Sequence, residues 1–115
     1  MVSLRLRSKH WIVDKDDNMI MGAGRKEILE TIAKTGSINK TAKIMKMSYK
    51  GVWGRIKATE KSMNIKIVHT DRRHGSRLTR EGEELLRKYT LLKKECIKAD
   101  DKVFRSIFKK ETRTK

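Results

Sequence analysis

Lys50, Gly54, Lys57 and Lys61 succeed one another at steps of four, three and four residues, which places them on one face of an α-helix. Three ammonium groups in a row do no covalent chemistry of their own. They neutralise the phosphates of a polyanion, and a glycine among them lets the helix backbone approach it closely. Tyr49, at the start of the same stretch, offers a hydroxyl to a base or a phosphate or else covers the wing, contact being the favoured reading, and Trp53 borders the stripe, suited equally to packing and to contact. Ser48 stands just before them. A second basic set, Arg72, Arg73, His74 and Arg77, surrounds Gly75. Arginines at a hairpin tip suit phosphates or the minor groove, and beside a basic helix that reading outweighs an ordinary solvated turn.

Groups that would carry catalysis are scattered. His10, His69 and His74 share no ligand-like spacing with one another or with Cys96, and no HxxxH, CxxC or phosphate-cradling glycine loop occurs. Asp16 and Asp17 lie in turn-like sequence, Asp100 and Asp101 in a basic helical stretch, and solvated surface accounts for both pairs. The sequence therefore predicts no catalytic residue, no metal site and no cofactor, in a protein that is not an enzyme.

The whole-chain balance points the same way. The 115 residues carry 30 Lys+Arg against 14 Asp+Glu, a formal +16, and self-repulsion on that scale is relieved by a polyanion. Residues 25–78 hold fourteen basic and four acidic groups, net +10, whereas residues 1–24 are net +1 and residues 79–115 net +5. The excess is gathered around the lysine stripe. Nucleic acid is the first candidate partner and an anionic membrane surface the second. The single cysteine allows no intramolecular disulfide. The N-terminus reads as no apolar leader, and no uncharged run approaches the ~18 residues of a span. The expectation is a soluble, cytoplasmic protein with no membrane partner, its length that of one domain over 1–115.

The elements that must position these side chains follow from periodicity. "SLRLRSKHWIV" alternates, with Leu4, Leu6, His10 and Ile12 on one face; "DKDDN" is turn chemistry and "MIM" returns, so residues 3–21 are predicted as a β-hairpin. Ile28, Leu29, Ile32 and Ala33 recur at helical spacing, and Gly36 follows as a C-cap. Ser37 caps a second helix with Ile38, Ala42 and Met45 inward; Met47 fills a break; Ser48 caps a third with Val52, Ile56, Thr59 and Met63 inward. Residues 25–64 are thus a helical core with a helix-turn-helix, Ala42 small where its helices cross and Val52 locking the second. A plain helical hairpin without a ligand is the alternative reading of that spacing. Residues 65–79 form a small hairpin, or wing, and Thr79 caps a long helix over 80–108, about 40 Å at 1.5 Å per residue. "KKETRTK" is a polar, frayed end.

On the long helix Leu85, Tyr89, Leu92, Cys96, Ala99 and Val103 recur at steps of four, three, four, three and four, a heptad seam. The first two belong to the domain's own core. Leu92, Cys96, Ala99 and Val103 reach beyond it and predict a two-fold dimer, with Cys96 a packing residue and the N-terminal hairpin helping. The fold class is mainly α with small β-hairpins: a winged helix-turn-helix with an N-terminal β-hairpin and a long C-terminal dimerisation helix.

"GRKEILETIAKTGSINKTAKIMKMSYKGVWGRI", continued by "LTREGEELLRKY", resembles the N-terminal DNA-binding domain of the molybdate-responsive (ModE-type) regulators. More distantly, it is similar to the LysR-type winged helix-turn-helix. The resemblance covers roughly residues 9–95 and is sharpest in "TGSI", "MSYKGVW" and "LTREGEELL". It implies a homodimeric transcriptional regulator with the third helix in the major groove and the wing on the backbone. Ser48, Tyr49, Lys50, Trp53 and Lys57 would bind DNA from the helix, with Lys61 continuing the stripe, and Arg72, Arg73 and Arg77 from the wing. Three departures matter. Lys46 occupies a turn position where the family usually has glycine, at a cost on the order of 1 kcal/mol if left-handed. The wing is short and arginine-rich. The chain ends after the long helix, where full-length members continue into molybdate-binding domains, so molybdate sensing is not implied.

The reading is a sequence-specific regulator that binds double-stranded DNA as a homodimer on an inverted-repeat operator, an unknown effector or partner protein being left open. Two alternatives stand beside it. One is an architectural, nucleoid-type protein without strong sequence preference, whose binding is almost all counterion release; the other is an adaptor that docks through the long helix.

Overall fold

In a computed structural model, which describes residues 2–112 and their side chains through residue 108, the chain starts as an arm without regular secondary structure over residues 2–11. Two short antiparallel strands follow, β1 (Ile12–Val13) and β2 (Met19–Met21), then α1 (Ala23–Thr35), α2 (Ile38–Ile44) and α3 (Tyr49–Met63). The antiparallel pair β3 (Val68–Asp71) and β4 (Gly75–Leu78) makes the wing, and α4 (Arg80–Thr112) ends the chain. The serine caps form as their types require: Ser37 Oγ accepts from Lys40 N at 3.0 Å and Ser48 Oγ from Gly51 N at 2.9 Å, each worth about 1 kcal/mol to its helix. In the turn between α2 and α3, Lys46 is left-handed (φ 55°), a conformation that glycine adopts at less cost. Met47 N donating to Ala42 O at 2.8 Å closes that turn.

One core unites the elements. Ile28, Leu29 and Ile32 of α1, Ile38 and Ala42 of α2, and Val52 and Ile56 of α3 are buried with Met21, Ile67, Val68, Leu78 and Tyr89. Ala33, expected on the inner face of α1, is exposed, one position past Ile32 and off that face. The wing docks on the end of α1 through two glycines. Gly36 (φ 70°) turns the chain out of α1, and its carbonyl accepts from Ser76 N at 2.9 Å. Gly75 (φ 77°) lies so close that a Cβ there would be 2.4 Å from Gly36 O. Thr79 caps α4 by accepting from Gly82 N at 3.0 Å while donating to Lys66 O at 2.7 Å. A Cβ on Gly82 would stand 2.1 Å from Ile67 O, so only glycine lets α4 cross the strand here.

The N-terminal hairpin is shorter than the expected span of 3–21. Only Ile12 and Val13 pair, with Met21 and Met19. Gly22 follows β2 directly and α1 begins at Ala23, so no returning strand remains for residues 3–11. The arm runs beside α4 instead. His10 Nε2 lies 2.9 Å from Asp100 Oδ2, the Tyr89 hydroxyl donates to His10 O, and Leu4 and Leu6 line a groove with Phe104. α4 continues past the expected end at 108, with a break from helical geometry at Phe108 (φ −108°, ψ 26°). Of the tail expected to fray over 109–115, residues 113–115 lie outside the described residues.

Candidate nucleic-acid interface

α3 carries its inner face on Val52, Ile56 and Thr59, all buried. Lys50, Gly54 and Lys61 are exposed on the opposite side. Nothing lies within 4 Å of a Cβ built on Gly54, so the helix backbone is bare there. The other predicted positions on this helix have partners within the chain. Ser48 spends its hydroxyl oxygen on the cap. Tyr49 is exposed and stacks on Trp53 (centroids 6.4 Å apart, planes 20° apart), and Trp53 is half-buried against the core. Lys57 belongs to the stripe by spacing but stands at its edge. Its ammonium lies 4.5 Å over the Trp53 ring and 3.1 Å from Glu60 Oε1.

Glu60 was invisible as a functional residue in the charge pattern. It is a carboxylate on the inner edge of α3, almost removed from solvent, and its Oε2 accepts from Ile67 N at 2.8 Å and Val68 N at 3.2 Å. Burial alone would push its pKa up. The two backbone N–H groups and Lys57 outweigh burial and hold the carboxyl below its ordinary value. One side chain thereby joins the last turn of α3 to the root of the wing and restrains a lysine of the stripe. The signal in the sequence is a lone acid between the inward-facing positions 59 and 63 of a basic helix.

At the wing tip, Arg72 and Arg73 are exposed, as is Arg77 on β4 opposite His69. Asp71 shapes the tip: Oδ1 accepts from Arg73 N at 2.7 Å, and Oδ2 lies 3.1 Å from His74 Nδ1. The Arg73 N–H first, then the His74 ring, keep the Asp71 carboxyl below its ordinary value. Arg55, on a different flank of α3, was missed by the stripe argument; it is exposed and donates to Gly51 O at 3.1 Å.

The predicted seam on α4 divides as its lengthwise position requires. Tyr89 is buried and Leu85 half-buried in the domain core. Beyond them Cys96 is half-buried, Ala99 is exposed, and Leu92 and Val103 are 42% and 57% exposed. Ile107, one further step of four along the same line, is 68% exposed and extends the stripe. Among the described residues no three His, Cys, Asp or Glu side chains are grouped to hold a metal, and no helix is long and apolar enough to cross a membrane.

Residues 25–83 match the family described as "Bacterial regulatory helix-turn-helix protein, lysR family". The HTH-type transcriptional regulator YofA of Bacillus subtilis (strain 168) is 35% identical over 66 residues, 57% of this chain and 23% of that protein. The chain thus spans about a quarter of that relative's length. The CbnR DNA-binding domain, solved in complex with DNA, aligns with a TM-score of 0.61 at 16% identity, over 76% of this chain and 99% of that one. CbnR itself, described as a LysR family transcriptional regulator, gives 0.58 at 16% identity, over 74% of this chain and 29% of its own. These likenesses establish a shared winged helix-turn-helix fold. Of the two resemblances read in the sequence, the more distant one is the family that matches; the nearer one, to molybdate-responsive regulators, gains no support. The chain belongs to the lysR family of bacterial regulatory helix-turn-helix proteins.

Proposed function

We propose that the chain is a sequence-specific DNA-binding transcriptional regulator that acts as a homodimer on an inverted repeat. The observation that carries this reading is the exposed Lys50–Gly54–Lys61 face of α3, joined through Glu60 to an arginine-tipped wing within a lysR-family fold. Lys50 and Tyr49, at the N-terminal end of α3, are placed to reach base edges, with Lys61 and the arginines at 72, 73 and 77 on phosphates. Lys57 joins the phosphate set when DNA draws it from Glu60. Solved complexes of CbnR with DNA support duplex DNA as the ligand of this shared fold. The exposed stripe from Leu92 to Ile107 supports a two-fold dimer along α4, and a two-fold dimer reads a two-fold site. The reading takes residues 1–115 as one winged unit.

Filter binding at varied salt tests it. A dimer that neutralises ~6–10 phosphates loses about 10³–10⁵-fold in affinity between 50 and 200 mM salt. A shallow slope contradicts DNA as the ligand. A steep slope with equal affinity for every duplex favours the architectural alternative.

A further inference from the structure

Between the N-terminal arm and the helical core lies a cavity of about 450 Å³, a volume that takes a small molecule. Its walls come from four parts of the chain that are distant in sequence. Lys9 and Trp11 stand on the arm side, Arg25 at the start of α1, Arg55 on α3, and Tyr89 and Lys93 on α4. Four of the lining side chains are cationic and none is a carboxylate. Two of the cations are close enough to oppose each other: burial first, then the Arg55 charge, lowers the pKa of Arg25. Arg25 is nonetheless fixed, donating to Met19 O and, at 3.0 Å, to Thr59 Oγ1.

Two further features of the walls agree. α1 opens on the cavity at Gly22 with no side-chain cap and no acid in its first turn, so its positive end is uncompensated. His10, also on the wall, has Nε2 on Asp100, and its Nδ1 is buried without a hydrogen-bond partner. The remaining surface is the apolar body of Trp11, Met19 and Tyr89. A mixture of unopposed cations and flat apolar wall suits one kind of ligand, an anion with an apolar body.

We propose that this cavity binds a small aromatic carboxylate, its carboxylate held by Arg55 and Lys93 and its ring against Trp11. DNA phosphate is the competing source of negative charge. Helical spacing sets Arg55 roughly 120–140° around α3 from Lys50 and Lys61, so the cavity does not share the face assigned to the groove. An occupant ties the arm and α4 to α3, which makes the site an effector pocket within the DNA-binding unit itself.

The test uses Trp53→Phe protein, in which Trp11 is the remaining tryptophan, titrated with benzoate at constant ionic strength and without DNA. The expected result is a saturable change in Trp11 fluorescence. Arg55→Gln with Lys93→Gln should weaken it at least tenfold, about 1.4 kcal/mol, and uncharged benzyl alcohol should not saturate. Gly24→Asp has open space for its Cβ and sets a fixed carboxylate at the wall; it should weaken benzoate as well, in a protein whose thermal transition is retained. A linear response, or one shared by benzyl alcohol or by the double variant, overturns the proposal. So does a double variant that weakens duplex binding while leaving the benzoate titration unchanged, because the cations are then a phosphate contact.

Discussion

Replacing Glu60 by glutamine keeps the side chain's shape and removes its charge. In the wild type, the carboxylate accepts from Ile67 N and Val68 N and pairs with Lys57 at 3.1 Å. Hydrogen bonds to a charged group contribute about 1.5–3 kcal/mol and neutral ones about 0.5–1.5. Exchanging one kind for the other over two backbone bonds should cost about 2–3 kcal/mol. At roughly 4 °C per kcal/mol for a domain of this size, the melting temperature should fall by about 10 °C at pH 7. The sign of the pH dependence is fixed. The folded carboxyl titrates below its ordinary 4.5, so its contribution is complete above that pH and fades as pH falls through the folded value. Thermal melts of the two proteins should therefore differ by a constant amount from pH 7 to about 4.5 and converge below it. The substitution also frees Lys57 from its ion pair, so duplex binding should tighten while its salt slope stays the same, because the same phosphates are neutralised in the complex. Equal melting temperatures at pH 7, or a gap that widens on acidification, would refute the role assigned to Glu60.

Two glycines of α4 and α3 should respond oppositely to alanine. Gly82→Ala drives a Cβ into Ile67 O and should lower stability by about 1–3 kcal/mol in urea melts, whereas Gly54→Ala meets open space and should gain about 0.5–1 kcal/mol while weakening duplex binding, because its methyl sits on the groove face. Leu92→Glu with Val103→Glu should give monomers by light scattering that hold half-sites weakly; wild-type monomer at micromolar concentration would sink the dimer. Arg73→Ala should weaken binding to all duplexes about equally in competition assays.

Much of the fold was legible because local chemistry and the core agree. Ser37 and Ser48 cap the helices they precede, Gly36 ends α1, and the spacing of Val52, Ile56 and Thr59 marks the buried face of α3. Lys46 is left-handed without a glycine to mark the turn. The arm misled because alternation over residues 3–12 does not say what the chain lies against: His10 meets Asp100 of α4, and Leu4 and Leu6 line a groove beside Phe104 while staying exposed. Spacing puts Lys57 in the stripe but records direction and not partners, so its contacts with Glu60 and Trp53 were not legible. The cavity was not legible at all. Lys9, Arg25, Arg55 and Lys93 are far apart in sequence, and only the path of the arm along α4 brings them round one space.

The central claim is that the Lys50 face of α3 reads DNA sequence in a two-fold assembly. Selection of bound sites from random duplexes, run in parallel with wild type and Lys50→Ala at 150 mM salt, tests it most directly. The account predicts a motif with dyad symmetry, its half-sites one or more helical turns apart. In the variant the base preference should relax at one position per half-site, by roughly 1–3 kcal/mol. A motif without dyad symmetry, no motif at all, or the same motif from both proteins would contradict it.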